Sequence, residues 1–129
     1  MRDGRPLGSD EEKPLDLKRR TQSFALSMVR FYVSLPKTSE AQILGKQVLR
    51  SGTSIGAQYR EAWRAKSDAD FVSKMEGALQ EADESSYWLE LLRDAGIASS
   101  DSASALLSEL DEITAIFVTI VKKVKARRG

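Results

Sequence analysis

Residues 39–66 read SEAQILGKQVLRSGTSIGAQYREAWRAK, and the spacing inside this stretch decides the fold. Leu44, Val48, Ser51, Ile55, Tyr59 and Ala62 recur at three- and four-residue steps, which lines apolar or small side chains along one face of an α-helix. Ser39 followed by Gln42 has the form of a capping box, so the helix is expected to start there and to run to about Lys66. Gly45, Gly52 and Gly56 fall on nearly one side of it, each costing about 1 kcal/mol of helix propensity relative to alanine. Something must offset that cost, and close approach of a neighbouring helix or subunit would do so. A phosphate-binding loop does not fit, because the glycines lack both a preceding strand and the Gly-Lys-Ser/Thr ending.

Outward from this helix the same periodicity repeats. Before it, with Asp16 as the expected N-cap, Phe24, Ala25, Met28, Tyr32 and Leu35 mark helix 1, which Pro36 stops. After it, Ser67 and Asp70 cap a long segment in which Phe71, Met75, Ala78, Ala82, Ser85, Leu89 and Leu92 repeat until Gly96. Ser99, Ser100 and Asp101 offer caps for helix 4, whose stripe is Leu106, Leu110, Ile113, Phe117, Ile120 and Val124. No strand-length alternation competes with these helices. Four helices with short connections bury their stripes together most simply as an antiparallel up-down-up-down four-helix bundle, an all-α domain spanning residues 15–129. Residues 1–14 hold Gly4, Pro6, Gly8 and Pro14 among charges, the composition of a flexible leader whose loss costs little stability.

Several apolar residues fall off the inner stripes: Phe31, Val33, Leu49, Trp63, Trp88, Ile116 and Val118. Together they imply a second buried surface, and a closed homo-oligomer is the economical way to cover it. Trp63 and Trp88, with the three glycines, are therefore the candidate residues for helix packing or oligomer contact.

Composition narrows the function. The 129 residues are 41% hydrophobic and 30% charged, with no run approaching the ~20 apolar residues of a membrane span and no apolar core for a secretory signal near the N-terminus. A cytoplasmic protein with no membrane partner is expected. There is no cysteine and no histidine, which removes disulfides, thiolate chemistry and the usual zinc sites. Hydroxyl side chains are plentiful but none has an evident base, so no catalytic residue, metal or cofactor is assigned and the chain is read as a non-enzyme.

A net charge of only +1 hides an uneven distribution. Helix 3 carries Asp68, Asp70, Glu76, Glu81, Asp83, Glu84, Glu90 and Asp94 against Lys74 and Arg93 alone. Carboxylate-bridged metal sites in bundles use Glu-x-x-His pairs, so a solvated acidic face or salt bridges to basic helices is the better reading, with Glu61 and Glu81 candidates to pair with Arg50, Arg60 or Arg64. In an up-down-up-down bundle one end would gather Lys18, Arg19 and Arg20, then Arg60, Arg64 and Lys66, then Lys122, Lys123, Lys125, Arg127 and Arg128. In a ring of parallel bundles these would form a basic rim able to bind RNA or DNA. Helix-dipole complementation explains the clusters at the ends of helices 2 and 4 without any ligand, but not the one at the start of helix 1. Trp63 between Arg60 and Arg64, and Trp88 beside Tyr87, have the chemistry of base-stacking platforms, although aromatics at helical spacing more often pack.

Residues 47–62, QVLRSGTSIGAQYREA, with Asp70 and Phe71 and with residues 81–92, EADESSYWLELL, resemble a bacterial four-helix-bundle family. That family includes proteins encoded in 23S rRNA intervening sequences, and the chain is also similar to the accessory protein of diversity-generating retroelements. The resemblance covers roughly Leu15 to Val124. It implies a homopentamer of four-helix bundles and, from the retroelement accessory protein, binding of nucleic acid and of a reverse transcriptase. Two functions of different class follow: an oligomeric protein that binds nucleic acid through a basic rim, or an oligomeric scaffold that binds a protein partner and no nucleic acid.

Overall fold

The periodicity of the sequence becomes four α-helices in the computed structural model, which describes residues 14–128 and their side chains from 16 to 127. They are α1 (Pro14–Ser34), α2 (Ser39–Trp63), α3 (Asp68–Asp94) and α4 (Ser100–Arg128), and no strand occurs among the described residues. The leader expected over residues 1–14 lies, up to residue 13, outside the described residues. At residue 14 the expectation is corrected, because α1 opens on Pro14, a residue suited to a first turn where an N–H would have no partner. Asp16 consequently sits inside the first turn and does not cap it.

Side chains set the remaining boundaries. α2 starts behind Thr38, not Ser39, because Thr38 is extended and its hydroxyl accepts the Ala41 N–H at 3.3 Å. Gln42 is drawn out of the expected capping box: its amide donates to the Pro36 carbonyl at 3.0 Å and accepts the Tyr32 hydroxyl at 2.7 Å. The same residue thus ties down the α1–α2 turn. α2 ends at Trp63, short of Lys66, with the Arg64 N–H on the Glu61 carbonyl. Ser67 caps α3 as its sequence predicts, accepting the Asp70 N–H at 3.0 Å. Gly96 closes α3 in the left-handed region at φ 73°, where its N–H reaches the Arg93 carbonyl and the Ile97 N–H that of Leu92. Ser99 then accepts the Ser102 N–H and starts α4.

α1 packs on α2 and α4, and α3 on α2 and α4, so consecutive helices are neighbours and α1 is diagonal to α3. The α2–α3 seam is the most extensive and the α1–α4 seam the least. Each stripe read from the sequence faces the centre: Val48, Ile55 and Tyr59 of α2, Met75 and Leu89 of α3, and Leu110, Ile113 and Phe117 of α4 are all fully buried. Tyr59 stacks on Phe117 across the diagonal, ring centroids 5.3 Å apart. In the α2–α3 seam the Ser85 and Ser51 hydroxyls lie 2.8 Å apart, and each also reaches a carbonyl of its own helix. Phe31, expected outside the core, belongs to it, and Thr21 and Leu17 extend the α1 stripe two turns further back.

The neighbour that approaches the glycines is α1 of the same chain. A Cβ at Gly45 would lie 2.7 Å from Leu35 Cδ1, one at Gly52 2.7 Å from Met28 Cγ, and one at Gly56 3.0 Å from Thr21 Oγ1. Leucine at Gly52 or Gly56 should therefore push α1 off α2 and lower stability by about 1 to 3 kcal/mol or more, read from urea unfolding. An unaltered midpoint would contradict the close packing of these two helices.

Candidate nucleic-acid interface

Antiparallel packing brings the end of α2, the start of α3 and the end of α4 together. Arg127 reaches from α4 to Asp68 of α3 at 3.1 Å, and Lys125 reaches Glu76 at 2.9 Å. Arg60 donates to Gln22 of α1 at 2.8 Å, which places the first turns of α1 beside the same end. Between the α2–α3 turn and the end of α4 lies an open cleft of about 490 Å³, walled by Trp63, Lys66, Ser67, Asp68, Phe71 and Arg127.

The cations expected there divide into two groups. Arg19, Arg60, Arg64, Lys66 and Lys122 are exposed and form no ion pair among the described residues. Lys123 is exposed and Lys18 half-buried, while the side chain of Arg128 lies outside the described residues. Lys125 and Arg127, by contrast, are engaged by α3 carboxylates. Arg20 is the clearest correction to the expected basic end. It turns to α4, where Nε and Nη2 donate to the two oxygens of Glu109 at 2.7 and 2.9 Å and Nη2 also donates to Glu112 at 2.6 Å. The hydrogen bond that Arg20 donates to Glu109, opposed by partial burial and reinforced by Glu112, raises the guanidinium pKa above the already high arginine value.

The acidic residues of α3 are distributed among its neighbours. Arg50 of α2 bridges Glu81, at 3.3 Å, and Glu84, as the sequence allowed. Glu61 pairs with Lys74 at 3.5 Å and not with an arginine of its own helix.

The tryptophans pack. Trp63 meets Tyr59 and Phe71 edge to face, at 6.1 and 5.5 Å, where α2 turns into α3. Trp88 is half-buried against the core, its indole N–H buried without an acceptor among the described residues. It lies 20 residues along α3 from Asp68, roughly 30 Å from the basic end at 1.5 Å per residue, so it takes no part in that site. Leu49, Ile116 and Val118 are half-buried, leaving Val33 as the one member of the off-stripe set that is largely exposed. Tyr87 is exposed beside Trp88, and sequence reasoning missed Leu26, Val29 and Ile43 as exposed apolar side chains, although the spacing of Leu26, Val29 and Val33 is itself a helical signal.

The sequence pattern of the 23S rRNA-intervening sequence protein family matches residues 13–119, most of the chain. The chain belongs to the 23S rRNA-intervening sequence protein family. It is also similar to a protein of unknown function from the S23 ribosomal protein family of Bacteroides thetaiotaomicron, whose crystal structure aligns with a TM-score of 0.79. The two are 38% identical over 84% of this chain and 97% of the other. Comparison with curated proteins gives no match. The match to the 23S rRNA-intervening sequence protein family stops at residue 119, so Lys122, Lys123, Lys125 and Arg127 lie on the part of α4 beyond it.

Within this family member the Arg20 fork closes the least extensive seam of the bundle. Replacing Arg20 with glutamine should cost about 1 to 2 kcal/mol, because a two-pronged arginine–carboxylate contact is stronger than an ordinary surface pair. The cost should shrink in high salt. Equal urea midpoints for the two proteins in dilute buffer would show that the fork contributes nothing.

Proposed function

We propose that the protein is a non-enzymatic, closed homo-oligomer of four-helix bundles, a pentamer, that binds RNA or DNA through the basic end of each bundle. The observation that carries this reading is the set of exposed cations that have no carboxylate partner among the described residues at one end: Arg60, Arg64 and Lys66 from α2 and its turn, Lys122 from α4, and Arg19 from α1. Favourable helix dipoles account for cations at the ends of α2 and α4. They do not account for Arg19, which lies in the second turn of α1, near its positive end. The name of the family, which refers to an insertion in ribosomal RNA, supports the same class of ligand. Nothing in the arrangement selects a base edge, so binding is to the phosphate backbone, with little sequence preference.

Five bundles pointing the same way would join these ends into one rim, and such a rim releases counterions as it binds. Affinity for a labelled RNA, followed by anisotropy, should therefore fall steeply as salt rises. Changing Arg60, Arg64, Lys66 and Lys122 to glutamine should weaken binding and flatten the salt dependence, by about 0.7 in the log–log slope for each single-strand phosphate that is no longer neutralised. The oligomer should persist in that variant. Wild-type protein that binds no nucleic acid in low salt would sink the proposal and leave a scaffold for a protein partner, such as a reverse transcriptase, as the surviving function.

A further inference from the structure

We propose that the outward face of α1 seats in the groove between α3 and α4 of a second copy of this chain, so that subunits join head to tail. The inference rests on the oligomeric part of the function proposed above and names the two surfaces that make it. α1 carries two stripes on opposite sides. Leu17, Thr21, Phe24, Met28, Phe31 and Leu35 enter the core, while Leu26, Val29 and Val33 point away from it and are 48%, 41% and 64% exposed. Arg19 and Arg30 flank this outer stripe, both exposed and neither in an ion pair among the described residues.

The groove between α3 and α4 has the complementary chemistry. It encloses about 650 Å³ over the apolar side chains of Leu79, Ala82 and Val118. Asp83 of α3 and Asp111 of α4 both line it, both exposed and neither neutralised by a cation among the described residues. The lengths agree as well. Leu26 to Val33 rises about 10 Å, and the α4 wall from Asp111 to Val118 rises the same about 10 Å. One chain cannot satisfy itself, because α1 is diagonal to α3. Two α1 stripes packed face to face would leave Asp83 and Asp111 without a cation. The stripe in the groove instead sets Arg30 beside Asp83 and Asp111. Such an interface uses two different patches, and repetition with a closing rotation gives a ring.

Two variants test this. Leu26→Asp with Val29→Asp and Val33→Asp spoils the stripe; Asp83→Arg with Asp111→Arg spoils the groove. Circular dichroism establishes that each is folded, and Arg30→Glu and Asp83→Lys replace them if either is not. In analytical ultracentrifugation at micromolar concentration the wild type should be a closed oligomer and each variant alone a monomer. Mixed, the variants should form a one-to-one dimer and nothing larger, because only one intact stripe and one intact groove remain between them. If the wild type is an oligomer and either variant still assembles, the proposal is overturned while the oligomer stands. Monomeric variants that fail to pair on mixing overturn it equally. A monomeric wild type overturns the oligomeric reading with it, whereas nucleic-acid binding by the basic end is decided separately by the salt titration.

Discussion

The bundle depends on one steric fact, that α2 presents bare backbone to α1 at Gly45, Gly52 and Gly56. Helix propensity alone argues against glycine at all three positions, at about 1 kcal/mol each. What offsets it is the contact of Leu35, Met28 and Thr21 with the glycine face, where side chains of one helix touch main chain of the other and gain dispersion along the whole seam. Because these three contacts follow one another along α1, they fix its height and rotation on α2. The rotation in turn decides what α1 shows to the outside, both its second apolar stripe and the direction in which Arg20 extends.

Charge is then arranged around that frame at two levels. Cations opposite α3 neutralise it locally: Arg50 from α2, and Lys125 and Arg127 from α4. These exposed pairs contribute little each, and their effect lies more in favouring one register than in stability. Arg60, Arg64, Lys66 and Lys122, at the end where α2 stops and α3 begins, form no ion pair among the described residues. An acidic helix and a basic end thus coexist in a chain of net charge +1 without cancelling each other.

Much of this was legible in the sequence because it follows from local periodicity. The inward stripes of α2, α3 and α4 needed only the 3.6-residue repeat, and Ser67 and Gly96 announced the ends of α3 by their own chemistry. What was illegible involved competition between neighbours. Thr38 and Ser39 are both good caps, and the tie was broken when Gln42 found Pro36 and Tyr32 across the turn. Phe31 looked peripheral because its place in the core depends on how α1 is rotated against the glycine face. The basic end was read by adding charges along the chain, and that sum could not know that Arg20 would turn aside to Glu109 and Glu112, 89 and 92 residues away. Periodicity says which face a residue is on, whereas partner choice depends on the azimuth of a neighbouring helix.

The seams share a further property. Their cross-helix ion pairs join arginine or lysine to aspartate or glutamate, and the chain has neither histidine nor cysteine. No side chain of this composition has an ordinary pKa between about 5 and 8. Imidazole and thiol, the groups whose ordinary pKa values lie nearest physiological pH, are therefore absent from the clasps between helices. Salt, which screens charge whatever the acidity, is the solvent variable to which these exposed clasps respond.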